Sequence, residues 1–279
     1  TMKENNFSLQ RLSAVLIFLL LISTQVISQE NQRNNKEFQP EVGQEGKDVV
    51  WVPTPQSLVD KMLDLADLKL GDLLIDLGSG DGRTVITAAK RGVKAIGVEY
   101  NPNMVDLSYK NAAKEGVRDK VEFVNGDLFE YDFSKATVIT MFLLPDINLR
   151  LRPQILDMKP GTRIVSNTFT MGEWIPDDTA IVDDISAWNT AYLWIVPAKV
   201  EGRWKLQPEG EVVFVQNFQM VSGEIISRNK KEEITGGKIH GNEISFYAGK
   251  TLYKGIIKGN TIEGTANNGK ESTKWVATR

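Results

Sequence analysis

The stretch that most constrains this chain runs from Asp72 to Arg83 and reads DLLIDLGSGDGR. An apolar run, Leu73 to Leu77, broken only by Asp76, gives way to glycine at alternate positions, Gly78, Gly80 and Gly82. Val85, Ile86 and Ala89 then recur at helical spacing, so the pattern predicts a buried strand, a tight glycine turn and a helix from Thr84 to Lys90. A ligand of such a unit lies across the glycines, where the missing Cβ lets it approach the backbone. The spacing separates two ligand classes. In the dinucleotide fingerprint G-x-G-x-x-G a pyrophosphate sits on the helix N-terminus, but here Arg83 holds the third glycine position. Asp76 at the strand end and Asp81 inside the loop would repel a phosphate, and both favour a cation.

At 279 residues the chain has room for one moderately large domain and a small extra module. Its net charge of −3 offers no basic footprint, so no nucleic-acid partner is expected. The absence of cysteine excludes disulfides, thiol nucleophiles and zinc-thiolate sites. The single histidine, His240, precedes a Gly241-Asn242 turn and reads as a solvated residue at a strand end, so no metal centre is expected.

Residues 1–28 read as a signal peptide. Lys3 and Arg11 precede an apolar core from Ala14 to Ile22, and Val26-Ile27-Ser28 resembles a cleavage site. The core is shorter than the roughly 20 residues a spanning helix needs. No stable membrane span is therefore expected after cleavage, with an uncleaved anchor as the alternative. Residues 29–47, rich in Asn, Gln, Glu and Gly, read as a polar linker.

The first domain is expected over residues 48–206. Thr54 and Pro55 read as the cap and first position of a helix whose buried face carries Leu58, Val59, Met62 and Leu63. A second strand, Lys94 to Glu99, ends on an acid at the spacing of about 20 residues where a carboxylate accepts from ribose hydroxyls in such folds. After a helix from Asn101 to about Glu115, a third strand, Val121 to Val124, leads to Asp127 and Leu128. Asp127 reads either as an acceptor for an exocyclic amine beside the apolar wall of Leu128, or as a turn residue bonded to its own backbone. Thr137 to Leu144 is a continuous apolar run, as a central strand covered on both faces requires. A helix from Asp146 to Met158, which Pro153 is expected to kink or split, and strands Arg163 to Thr168 and Ala191 to Val196 complete an α/β, doubly wound sheet. From residue 207 to 279 the texture changes to short β-type runs between Gly, Asn and Lys turns. This predicts a small antiparallel meander or partial barrel with no chemistry of its own, for stabilisation, partner contact or oligomerisation.

The order Asp76-Leu77-Gly78-Ser79-Gly80-Asp81-Gly82 resembles motif I of the class I, seven-β-strand methyltransferases, which bind S-adenosylmethionine. Two further segments are similar to a narrower group, the archaeal protein lysine methyltransferases and the mitochondrial enzymes acting on the ATP synthase c-subunit. These are the entry VWVPTP and the run MFLLP with the later KPGTRIVSNTF. The resemblance implies a Rossmann-like methyltransferase domain in which Asp76, Gly78, Ser79, Gly80 and Gly82 surround the methionine moiety. It implies Glu99 on the ribose, Asp127 and Leu128 on the adenine, and Thr54 near the methyl-donor end. Phe142 and Leu143 stand where amide- and base-directed relatives carry Asn/Asp-Pro-Pro-Tyr/Phe, a motif absent here.

The implied function is methylation of a protein lysine amine. Presenting that amine neutral costs about 4–5 kcal/mol at pH 7, which a narrow apolar channel reduces by desolvation, while alignment supplies the rest. Trp51, Pro53 and Phe142 are the channel candidates, with Tyr192 and Trp194 behind them. No single catalytic acid or base is identified. The alternatives are a small-molecule or lipid methyltransferase, and an exported non-catalytic binding protein that keeps the fold. The last is motivated by a conflict between an outward signal, placing the protein in the periplasm or beyond, and a donor made in the cytosol.

Overall fold

A computed structural model describes residues 38–183, 187–228 and 230–279. The expected signal segment 1–28 and residues 29–37 of the expected linker lie outside the described residues. Residues 41–279 form one compact unit.

Helix α1 (Gln56–Leu65) leads into β1 (Leu73–Leu77), α2 (Arg83–Lys90), β2 (Lys94–Glu99), α3 (Pro102–Lys114) and β3 (Val121–Asn125). Next come β4 (Val138–Met141), α4 (Pro145–Leu156), β5 (Arg163–Asn167), β6 (Asp178–Ile181) and β7 (Thr190–Ile195). The strands lie in the order β3-β2-β1-β4-β5-β7-β6, with β7 antiparallel to both of its neighbours. The sheet is doubly wound. Leu58, Leu63, Val85 and Val105 from α1, α2 and α3 bury one face, and Ile147, Leu151 and Ile155 from α4 bury the other. Chain order reverses between β1 and β4, and in open α/β sheets ligands bind at such a switch point, beyond the carboxyl ends of the strands.

Several local expectations are corrected. Helix α1 starts at Gln56 with Pro55 at its cap and no side-chain cap. Thr54 is instead buried, held by Asn167 and Arg83. The central run forms a strand only from Val138 to Met141, because Pro145 opens α4 and the residues between must turn out of the sheet. Pro153 lies inside α4 without ending it.

The C-terminal module is a closed antiparallel barrel of eight strands. These are β8 (Gly202–Gln207), β9 (Glu211–Asn217), β10 (Met220–Ser227), β11 (Lys230–His240), β12 (Glu243–Ala248), β13 (Thr251–Lys258), β14 (Thr261–Asn267) and β15 (Ser272–Thr278). Strand β8 pairs with both β9 and β15, so the barrel begins ahead of the expected boundary at Gln207. Trp204, Phe214, Phe246 and Trp275 fill its interior, as side chains do in a barrel of this strand number. His240 ends β11 and is exposed, as expected.

The barrel is fastened to the sheet domain. The Phe218 ring stacks on Trp174 at 5.8 Å between centroids, Gln219 Nε2 donates to the Ile175 carbonyl at 2.7 Å, and Lys238 pairs with Asp177 at 3.0 Å. Gly241 packs against Gly161 in the turn that feeds β5. That turn is at the amino ends of the parallel strands, so this contact lies at the end opposite the glycine loop.

Candidate active site

Gly78, Gly80 and Gly82 all take left-handed φ, +79°, +55° and +81°, which only glycine adopts without strain. The loop's amides are spent internally. Gly78 and Ser79 N–H donate to the Val98 carbonyl, Gly82 N–H to the Ser79 carbonyl, and Gly80 N–H to Glu99 Oε2 at 2.9 Å. An anion would find none of these four amides free, so the loop is no phosphate cradle. Close packing explains two of the glycines. A Cβ on Gly80 would stand 2.7 Å from Trp51 Nε1, and one on Gly82 would meet Phe123 and Ser108 within 2.9 Å.

Around the loop lies a cavity that Trp51, Gly78 and Glu99 help to line. Glu99, Asp127 and Leu128 line it, and Phe142 closes one side. A second compartment, lined by Pro53, Thr54, Asp76, Ser79 and Gly80, adjoins it. Trp51, Gly78 and Phe142 belong to both. The fold thus brings together the expected cofactor and channel residues except Gly82, whose Cβ direction is filled by Phe123 and Ser108 behind the loop, and the secondary channel candidates Tyr192 and Trp194.

The electrostatics are those of a cation site. Asp76 is pushed up to about 7, mainly by burial and further by the charges of Glu99 and Asp81, while the Thr140 hydroxyl donates to it at 2.6 Å and opposes the rise. Burial also raises Glu99, against the Gly80 and Asn101 amides that donate to its two carboxylate oxygens. Asp81 contributes less than the sequence suggested. Its carboxylate is paired with Arg83 at 2.6 Å, and the same guanidinium reaches the Thr54 carbonyl at 2.7 Å. Arg83 therefore neutralises the loop acid and ties the loop to the entry of α1.

Asp127 follows the turn reading, bonded to its own backbone, and carries an ion pair besides. Its Oδ1 accepts from the Phe129 amide at 2.9 Å, and its Oδ2 is paired with Lys47. This pairing was not foreseen. Residues 41–47 of the expected linker fold back over the cavity, with a Glu45–Val50 bridge and Trp51 N–H donating to the Gln44 carbonyl. The apolar Val49-Val50-Trp51 next to Gly43 and Gly46 was the available signal. Two further aromatics, Phe169 and Trp188, pack on Phe142 and were also missed. Trp194 is a core residue, wholly buried with its indole N–H bonded to the Trp174 carbonyl at 2.7 Å; Tyr192 lies against it.

Sheet order, glycine loop and strand-end acids together define a Rossmann-like methyltransferase. Residues 76–178 match the family described as the ANTKMT methyltransferase domain. A protein-lysine N-methyltransferase of Saccharolobus islandicus is 42% identical over 151 residues, covering 53% of this chain and 94% of that one. The ATP synthase C-subunit lysine N-methyltransferase of Rattus norvegicus is 32% identical, covering 50% of this chain and 68% of that one. A solved structure described as an RNA methyltransferase from Salinibacter ruber, in complex with S-adenosyl-L-homocysteine, is 48% identical with a TM-score of 0.51. It covers 53% of this chain and 96% of that one. The chain belongs to the protein-lysine N-methyltransferase family of S-adenosylmethionine-dependent enzymes. The matched lengths leave the barrel unaccounted for.

Proposed function

We propose that the protein methylates the ε-amine of a lysine in a protein substrate, admitted through a narrow apolar passage walled by Trp51, Pro53 and Phe142. The observation that carries this reading is the position of Phe142 between the two compartments, in a segment Phe142-Leu143 that offers side chains without hydrogen-bonding groups. A planar amide or base nitrogen needs a polar grip there; an aliphatic amine needs desolvation and alignment.

The residues fit S-adenosylmethionine, which supplies a methyl group made electrophilic by its sulfonium. Asp76, Gly78, Ser79 and Gly80 would hold the methionine moiety, Glu99 the ribose, and Asp127 and Leu128 the adenine. Thr54, fixed by Asn167, would stand near the methyl-donor end. In this assignment the buried acids attract the cation, Trp51 and Phe142 exclude water, and no side chain is required as a permanent base.

Incubation with isotopically labelled donor and separate protein, RNA and lipid fractions tests the reading, with mass spectrometry locating the label. Label on lysine side chains is the expected result. Label confined to RNA, as the description of the Salinibacter relative would suggest, or to lipids or metabolites, would contradict it.

A further inference from the structure

Phe142 does not stand alone at the mouth of the passage. Its ring stacks on Phe169 with centroids 5.9 Å apart and planes 22° apart, and meets Trp188 edge-on at 5.5 Å. Phe169 and Trp188 also touch, at 5.7 Å. The three come from the end of β4, the end of β5 and the approach to β7, and all are half-buried. Phe169 and Trp188 meet the two compartments through Phe142, which belongs to both.

The backbone that carries Phe169 is held in an unusual shape. Thr168, a β-branched residue, takes a left-handed φ of +60°, a conformation that persists only where the surroundings impose it. Three contacts do so. Thr168 N–H donates to the Thr190 carbonyl at 2.7 Å and the Thr168 hydroxyl to Asn167 Oδ1 at 2.8 Å, while Asn167 Nδ2 reaches Thr54 Oγ1 at 3.2 Å. From α4, the fully buried Asn148 donates its amide to the carbonyls of Phe169 and Thr170 at 3.3 and 3.2 Å. Its Oδ1 has no partner among the described residues. A buried amide that leaves one atom unsatisfied in order to hold a loop is a costly arrangement, and strain of this kind clusters at functional sites.

We infer that Phe142, Phe169 and Trp188 form the acceptor port, a sleeve of aromatic faces that receives the lysine side chain and selects it by its cationic, aliphatic end. The inference rests on the lysine reading above and adds Phe169 and Trp188 as specificity-determining residues, with Thr168 and Asn148 as positioning residues. Aromatic faces attract an ammonium through the ring quadrupole and cover the methylene stem. They also exclude water from the amine, which favours its neutral form.

The test uses the full chain, labelled donor and a protein extract freed of RNA and lipid, with Trp188→Leu, Phe169→Leu and Trp188→Phe beside wild type. The leucine variants keep apolar bulk and lose the π face. At limiting extract they are expected to transfer about tenfold less label to lysine, with donor affinity by calorimetry unchanged. Trp188→Phe is expected to retain most of the transfer, and the deficit should shrink as extract concentration rises. Leucine variants that match wild type would overturn the port while leaving the lysine reading intact. So would parallel loss of donor affinity, which would make the rings mere support for the fold. A wild-type protein that labels no lysine would overturn both.

Discussion

The Lys47 ammonium is paired with the Asp127 carboxylate and lies 4.8 Å from the centroid of the Tyr100 ring. The pair fastens residues 41–51 across the cavity, where Gln44 Nε2 also reaches the Met104 sulfur at 3.7 Å. Lys47 holds the Asp127 carboxyl below its usual range, and Asp127 raises Lys47 in return. An adenine amine on Asp127 must share or displace this ammonium. Lys47→Ala is therefore expected to speed both association and dissociation of the donor, read by stopped-flow tryptophan fluorescence. Unchanged rates would mean that the segment is no gate.

Donor binding should depend on pH through Asp76. A folded-state value of about 7 leaves this group largely protonated in mild acid, and a bound sulfonium favours the ionised form. Below pH 7 binding must then release a proton, so affinity is expected to weaken by up to about tenfold per pH unit and to level off above it. Calorimetry across this range checks the slope; a flat profile would remove Asp76 from the site.

The same shift has a stability consequence of opposite sign. The folded protein binds the Asp76 proton more tightly than the unfolded chain, so this group lowers stability as pH rises from about 4 to about 7 and leaves a constant penalty above. Asp76→Asn, which keeps an acceptor for the Thr140 hydroxyl, should stabilise the ligand-free protein at pH 8 by on the order of 3 kcal/mol. It should also lose most donor affinity. Denaturant melts with and without donor separate the two effects.

Gly82→Ala should cost stability more than it costs recognition. The added Cβ would meet Phe123 at 2.7 Å and Ser108 at 2.9 Å, at a φ of +81°. A loss of about 2–3 kcal/mol is expected from strain and overpacking together. Gly80→Ala presses instead on Trp51 in the cavity wall, so its larger effect should fall on donor affinity. Equal losses of affinity in the two variants would contradict this division.

Phe218→Ala removes the ring stacked on Trp174 and the face beneath the Arg152 guanidinium, whose carbon is 5.2 Å from the ring centroid. It should destabilise the protein by about 2 kcal/mol and separate the melting of barrel and sheet, leaving donor affinity unchanged. A fall in affinity would mean that the barrel acts on the site from the far end of the strands.

The sheet domain was legible because its signals are local. Gly78 and Gly80 mark left-handed turns, Glu99 ends a strand of ordinary apolarity, and buried helix faces repeat at 3.6. What escaped lacks such signals. Strand β6, Asp178–Ile181, is a largely exposed edge in which only Ala180 is partly buried and Ile181 faces solvent. Strand β11 reads KKEEITGGKIH, and its paired glycines resemble a turn; they sit at a register shift within one continuous strand. Lys47 belongs to a polar stretch whose partner is distant in sequence. Phe169 and Trp188 become neighbours of Phe142 only when β4, β5 and β7 assemble, and no spacing along the chain encodes that meeting.

In the proposed reaction the cavity at the ends of β1 and β2 takes the donor through Glu99. Calorimetric titration of S-adenosylmethionine into wild type and Glu99→Ala measures this directly. Saturable one-to-one binding by wild type, weakened at least about tenfold by loss of charge-assisted hydrogen bonds in the variant, is the predicted result. No binding by wild type, or equal binding by both proteins, would contradict it.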